Sequence, residues 1–317
     1  MRIWITRPLP ETVVAAARAI SDDIVVRAET LPLDAEELRS ALRDFDVVVP
    51  TLGDQFSADV FADVGAPRCQ LLANFGVGFN HIDTDAATQA GVVVTNTPGA
   101  VTDATADIGV MLMLMSARRA GEGERMVRAG RWPGWHPTQM LGLHMSGKRV
   151  GIVGMGRIGQ AIAQRCHFGF GMEVSYFNRS AKTLPFPAVR AESLGALARS
   201  VDFVVIAVPG GGETRHLIGA EVFQEMQAHA HVINIARGDV VDETALIAAL
   251  RTGQIGGAGL DVYEREPDVP AELLALDTVT LLPHLGTAAL EVRADMGLMA
   301  VENVRAFVAG EPVPNQV

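Results

Sequence analysis

Short runs of apolar, often β-branched residues alternate with stretches of helical spacing along the whole chain. Residues 2–7, 24–27, 46–51, 70–75 and 92–96 read as strands, because Val, Ile and Leu runs bounded by turn residues suit a pleat covered on both faces. Between them, residues 10–20, 34–42, 57–64 and 84–90 carry apolar positions at helical spacing, which predicts crossover helices and a parallel sheet. A helix over 102–119 follows, with Thr102 and Asp103 as its capping signal. Its Met111, Met113 and Met115 read as core filler. Residues 121–146 read as a polar loop carrying Trp132-Pro133-Gly134-Trp135. The alternation then restarts, with strands over 149–153, 173–177, 202–208, 231–235, 259–262 and 279–282. Helices are predicted over 157–167, 191–199, 220–226 and 242–251. A last helical stretch, 288–309, has no strand after it and is expected to fold back onto the first lobe. Two separate βαβ series predict an α/β protein of two lobes.

A length of 317 residues agrees with two lobes, since one hydrophobic core stops growing near that size. With 49% hydrophobic and 20% charged residues the composition is that of a folded globular chain. The net charge of −11 removes the positive field that general attachment to nucleic acid or anionic membranes requires. Two cysteines, Cys69 and Cys166, make no disulfide framework and read as buried thiols. The first residues lack the apolar core of a signal peptide, and the longest apolar run, 108–115, is too short to span a bilayer. A cytoplasmic protein is expected.

Gly154-Met155-Gly156-Arg157-Ile158-Gly159 stands between a strand and a helix, the context a dinucleotide-binding loop requires. In such a loop the first glycine makes the turn and the second lets the backbone approach a pyrophosphate. The third lets helix and strand pack closely. The helix N-terminus then offers N–H groups and a partial positive charge to the diphosphate. An NAD site places Asp or Glu at the end of the second strand, about 20 residues on, to hold the ribose 2′-hydroxyl. Here that place is taken by Asn178-Arg179-Ser180, with Lys182 close behind. A guanidinium beside a hydroxyl suits a 2′-phosphate, so NADP is the expected coenzyme and NAD a weaker second.

Three charged residues follow strand ends in the second series: Arg237, Glu266 and His284. A guanidinium grips a carboxylate in a planar fork, and an imidazole exchanges a proton near neutral pH. A carboxylate beside that imidazole fixes its tautomer and favours its protonated form. Together they describe hydride transfer to a 2-oxo acid. The other seven histidines have no comparable context, and no residue is assigned to a metal.

At this point the chain resembles the D-isomer-specific 2-hydroxyacid dehydrogenases over nearly its whole length. The resemblance rests on residues 74–83 (Asn74-Phe75-Gly76-Val77-Gly78-Phe79-Asn80-His81-Ile82-Asp83), on Thr95-Asn96-Thr97-Pro98-Gly99, on the glycine loop and on the three strand-end segments. Within the family it is most similar to the NADPH-dependent glyoxylate and hydroxypyruvate reductases, through residues 76–83, the Trp132–Trp135 loop and Asn178-Arg179-Ser180. The resemblance implies a flavodoxin-like substrate domain built from residues 1–99 and 286–317. A Rossmann-type cofactor domain would span 100–285. It implies Arg237 as the substrate-orienting arginine, His284 as the acid/base and Glu266 as its partner. Val77 and Gly78 would receive the substrate carboxylate through backbone N–H groups, in keeping with their glycine-flanked turn. Coenzyme contacts are implied at Val208, Pro209, Thr214, Ile235, Ala236, Asp261 and Gly286, besides Gly154–Gly159, Asn178–Ser180, Arg237 and His284. Gly210-Gly211-Gly212 after Pro209 is looser than the family pattern leads one to expect. A homodimer is also implied, with residues 121–145 reaching the other subunit and Trp135 touching the partner's substrate pocket.

The expected activity is NADPH-dependent reduction of small 2-oxo acids, glyoxylate to glycolate and hydroxypyruvate to D-glycerate. An NAD-linked relative with a bulkier or phosphorylated acid is a second reading, which Asn178-Arg179-Ser180 opposes. Formate-type relatives carry Gln where this chain has Glu266. A third reading is a corepressor-type protein of the same fold that senses the dinucleotide, and turnover separates it from the other two.

Overall fold

All strands of the two sheets pair in parallel. The structure is a computed structural model that describes residues 1–317. It divides into two units, Met1–Val101 with Ala288–Val317, and Thr102–Thr287.

In the first unit the chain runs β1 (Ile3–Ile5), α1 (Glu11–Arg18), β2 (Ile24–Val26), α2 (Ala35–Asp44) and β3 (Val47–Val49). It continues through α3 (Ala58–Val64), β4 (Leu71–Ala73), α4 (Thr84–Gln89) and β5 (Val93–Thr95). The sheet order is β2-β1-β3-β4-β5. β1, β3 and β4 are buried throughout, as their unbroken apolar runs require, whereas β2 is a half-exposed edge. Asp34 and Glu37 close a capping box at the start of α2.

The second unit opens with α5 (Thr102–Ala117), α6 (Ala120–Arg128), β6 (Arg149–Val153), α7 (Arg157–Phe170), β7 (Glu173–Phe177) and β8 (Val189–Arg190). Then come α8 (Leu194–Ser200), β9 (Phe203–Ile206), α9 (Ala220–Glu225), β10 (His231–Asn234), α10 (Glu243–Arg251), β11 (Gly257–Leu260), α11 (Ala271–Leu274) and β12 (Val279–Leu281). The sheet order is β12-β11-β10-β9-β6-β7-β8. Apolar clusters cover both faces, one around Leu197, Phe223 and Leu246, the other around Leu112, Met113 and Ile162. The strand order reverses at β6 and β9, and in open α/β sheets ligands bind outside the strand C-termini at that point.

α12 (Leu290–Val308) belongs to the first unit and packs on α1. A Cβ on Gly297 would lie 2.4 Å from Val13 Cγ2, so this approach of α12 to α1 needs glycine. The following segment lies antiparallel beside β5, through a Thr95–Gln316 bridge.

The fold class read from the sequence is the one observed, two parallel sheets clothed in helices. Local departures have physical reasons. Residues 120–128, read largely as polar loop, form α6, whose Gly121 and Gly123 hide its helical tendency. β8 is two exposed residues and α11 a single turn, both too short to leave a periodic signal. α7 runs on to Phe170 and ends at Gly171 in the left-handed region. Of the three methionines on α5, Met113 is core, while Met111 and Met115 are half-buried. Both cysteines are buried, which pushes each thiol up to about 12. No helix is long and apolar enough to cross a membrane.

Candidate active site

The glycine loop occupies the switch point of the second unit, and its three glycines differ in surroundings as their roles demand. Gly154 has φ +97°, and a Cβ there would lie 2.7 Å from the Ala207 carbonyl oxygen. A Cβ on Gly159 would lie 2.1 Å from the Gly154 carbonyl oxygen, so helix and strand meet backbone to backbone. Gly156, by contrast, has nothing within 4 Å of that position. It is exposed and opens α7 with no side-chain cap. A cradle is left in which a diphosphate can approach the N–H groups of the first turn, so the residues fit a dinucleotide. Met155 is buried under the loop, Arg157 is exposed beside it and Ile158 is half-buried.

Asn178 ties this loop to the end of β7, its Oδ1 accepting the Met155 N–H at 3.1 Å. Arg179 extends into solvent and meets Glu213 at 3.3 Å, with the two side chains 92% and 88% exposed. Ser180 and Lys182 are exposed close by. Arg190, to which the sequence reading gave no role, donates to the carbonyls of Asn178 and Arg179 at 3.1 and 3.0 Å. Thr214 closes its own turn, donating to the carbonyls of Pro209 and Gly211. The looseness of residues 210–212 has a partial explanation. A Cβ on Gly210 would lie 2.7 Å from Arg237 Cγ, so glycine there makes room for the arginine stem.

Arg237, Glu266 and His284 all lie in the second unit, on loops that follow β10, β11 and β12. His284 Nδ1 stands 2.8 Å from Glu266 Oε2. Glu266 Oε1 accepts the Tyr263 N–H at 3.1 Å. Burial opposes a charge on Glu266. The His284 hydrogen bond and charge, the Tyr263 N–H and the Arg237 charge outweigh it and hold the carboxyl below its usual range. Burial pushes the Arg237 guanidinium down, against the pull of Glu266 and Asp239. Gly238 brings the arginine and glutamate loops together: a Cβ there would lie 1.8 Å from the Tyr263 carbonyl carbon.

His284 has φ +54°, a left-handed conformation that costs a non-glycine residue about 1–2 kcal/mol. Asp261 holds it there. The Asp261 carbonyl accepts the His284 N–H at 2.9 Å, and its carboxylate accepts the N–H groups of Leu285 at 2.6 Å and Gly286 at 2.8 Å. Tyr263 braces the same segment by donating its hydroxyl to Leu282 O at 2.9 Å. This work of Asp261 was missed because a carboxylate bound to backbone far along the chain leaves no sequence pattern. Ile235 and Ala236 are buried at the end of β10, and Val208 is half-buried after β9.

In the first unit the turn after β4 has its carbonyls gripped. Gly76 O accepts from Asn74 Nδ2 and the Thr97 N–H, each at 3.0 Å. Val77 O accepts from Asn96 Nδ2 at 2.9 Å, and Gly78 O from Asn74 Nδ2 at 3.0 Å. The N–H groups of Val77 and Gly78 donate to nothing in the chain, which leaves a pair of donors for an anion. His81 braces Asn74, its Nε2 lying 3.1 Å from Asn74 Oδ1. Trp135 is 79% exposed in an irregular stretch after α6.

A sequence profile described as the NAD binding domain of D-isomer specific 2-hydroxyacid dehydrogenase matches residues 110–286. The chain belongs to that family. It is an NAD(P)-dependent oxidoreductase with a nicotinamide-dinucleotide domain. It is 42% identical to a glyoxylate reductase of Thermococcus kodakarensis over 322 residues, which is all of this chain and 96% of that protein. Among solved structures, it resembles an NADPH-dependent glyoxylate/hydroxypyruvate reductase from Sinorhizobium meliloti in complex with NADP and malonate. There the identity is 32% and the TM-score 0.88, over 100% of this chain and 96% of that one. A glyoxylate reductase from Paecilomyes thermophila matches at 31% identity and TM-score 0.88, over 100% and 98% of the two chains. As a 2-hydroxyacid dehydrogenase, the protein carries the profile's match across the glycine loop, Arg237, Glu266 and His284.

Proposed function

We propose that this dehydrogenase reduces small 2-oxo acids with NADPH, glyoxylate to glycolate and hydroxypyruvate to D-glycerate. The observation that carries the reading is the 2.8 Å pairing of His284 Nδ1 with Glu266 Oε2. It leaves Nε2 as the nitrogen that exchanges a proton with substrate. The substrate class is supported by relatives named glyoxylate reductases at about 40% identity over the full chain.

Gly154, Met155, Gly156, Arg157, Ile158 and Gly159 would hold the diphosphate at the start of α7. Arg179 with Asn178 and Ser180 would take the ribose 2′-phosphate, and Val208, Pro209, Thr214, Ile235, Ala236, Asp261 and Gly286 would line the rest of the coenzyme site. NADP preference is supported by the exposed guanidinium where a carboxylate would otherwise meet a 2′-hydroxyl. When bound, the nicotinamide supplies the hydride that adds to the carbonyl carbon. His284 gives the Nε2 proton to the carbonyl oxygen, and the 2-hydroxy acid results. Arg237 binds the carboxylate and polarises the carbonyl, while Glu266 holds the imidazole in one tautomer. Val77 and Gly78 donate their N–H groups to the carboxylate.

The reading includes a cytoplasmic location and a homodimer. Support for the dimer comes from the exposed apolar side chains Val127, Trp132, Trp135, Leu141 and Phe168, with Trp135 reaching the partner's substrate. The function is tested by initial rates with glyoxylate, hydroxypyruvate, pyruvate and phenylpyruvate, each with NADPH and NADH. The expected pattern is fast turnover of the first two with NADPH. Preference for phenylpyruvate, or for NADH, overturns the corresponding half.

A further inference from the structure

We propose that Asn96, held from behind by Asn303 and Asn315, is a positioning residue for carboxylate recognition at the turn 76–78. The inference rests on the assignment of the Val77 and Gly78 N–H groups to the substrate carboxylate. It adds the residues that aim them.

A trans peptide is planar, so its C=O and N–H point in opposite directions, and a clamp on one edge aims the other. The Gly76 carbonyl shares a peptide with the Val77 N–H, and it is clamped by Asn74 and Thr97. The Val77 carbonyl shares a peptide with the Gly78 N–H. Its sole donor is Asn96 Nδ2, at 2.9 Å. The direction of one of the two proposed donors therefore depends on a single carboxamide.

Asn96 is itself fixed at both of its backbone groups, which hold the stem of that carboxamide. The Asn96 N–H donates to Asn315 O at 3.1 Å, and Asn96 O accepts from Asn303 Nδ2 at 3.3 Å. Asn303 Oδ1 accepts from Asn315 Nδ2 at 3.1 Å, which closes a ring of three asparagines. Asn303 lies fully buried on α12 among Ala300, Val301 and Val304. A carboxamide there costs desolvation that an apolar residue avoids, and its hydrogen bonds all serve this ring.

The test measures kcat and KM for glyoxylate, KM for NADPH, and the dissociation constant of oxamate with reduced coenzyme present. The proteins are native, Asn96→Ala, Asn315→Ala and the double variant, with Gln316→Ala as a control on an exposed side chain of the same segment. Loss of one hydrogen bond predicts that Asn96→Ala raises glyoxylate KM and oxamate Kd by about two- to tenfold, with kcat and the NADPH KM within about twofold. Asn315→Ala raises the same two quantities by a smaller factor alone and adds nothing in the Asn96→Ala background, because the two act through one contact. Gln316→Ala changes neither. An unchanged glyoxylate KM in Asn96→Ala, an equal rise in NADPH KM, or additive effects in the double variant overturns the proposal. Should Asn96→Ala not fold, Asn96→Ser takes its place in the same comparison. Native enzyme is also compared on glyoxylate and glyoxylamide. No preference for the acid overturns the carboxylate assignment itself, whereas a preference kept in full by Asn96→Ala overturns the positioning role alone.

Discussion

Glu266 Oε2 lies 2.8 Å from His284 Nδ1, and Glu266 Oε1 is occupied by the Tyr263 N–H. The carboxyl is held below its usual range, so it takes up a proton only at a pH under the ordinary glutamate value of about 4.3. The acid limb of kcat/KM that reports this group is expected below that pH. Glu266→Gln should abolish the limb and lower kcat by about tenfold or more, the worth of one charge-assisted hydrogen bond. A pH–rate comparison of the two proteins checks it, and superimposable profiles would count against the pairing.

Gly156 and Gly159 differ in what an added methyl group meets, and that difference separates binding from folding. Gly159→Ala forces a Cβ against the Gly154 carbonyl and should lower Tm by several degrees. Gly156→Ala meets no atom and should leave Tm unchanged. It fills the diphosphate cradle, so the NADPH dissociation constant should rise by about tenfold or more. Calorimetric melting and NADPH titration of both variants decide the matter; coenzyme binding indifferent to Gly156→Ala would place the diphosphate elsewhere.

Arg179 pairs with Glu213 across solvent, an ion pair of a kind worth at most about 1 kcal/mol and readily exchanged for a phosphate. Arg179→Asp should move the NADPH-to-NADH ratio of kcat/KM by about tenfold or more towards NADH. An unmoved ratio would remove Arg179 from coenzyme selection.

How much of this was legible beforehand follows the range of each interaction. The glycine loop, its flanking strand and helix, and the strand-end positions of Arg237 and His284 are local in sequence and could be read directly. Asp261 could be named but its work could not: its carboxylate binds the backbone of Leu285 and Gly286, and only folding brings these together. The same holds for Gly238, whose missing side chain matters through the Tyr263 backbone. Asn303 looked like one more helical residue, because its partners lie on β5's flank and in the segment beside it. The helix α6 was hidden for a different reason, two glycines in a short amphipathic stretch.

His231 is buried against Ser116 Oγ at 2.7 Å and stacked on Phe203, and burial lowers it from 6.5 to about 4. Its folded value is depressed, so the unfolded chain binds the extra proton first and stability falls as pH drops from 6.5 towards 4. The loss approaches about 3 kcal/mol. Asp202 adds to it at lower pH. Burial favours its neutral form, but Arg149 and His229 hold it far below the carboxylate range. Urea unfolding at pH 7 and pH 4.5 should show the loss, and His231→Asn should flatten it. A native protein as stable at pH 4.5 as at pH 7 would contradict the buried neutral imidazole.

The most direct trial of the mechanism is the rate of NADPH oxidation by His284→Ala with saturating glyoxylate, set against the native rate. Loss of the proton donor predicts a fall of at least about 10²-fold with NADPH still bound. Turnover within about threefold of native would show that the proton comes from another group.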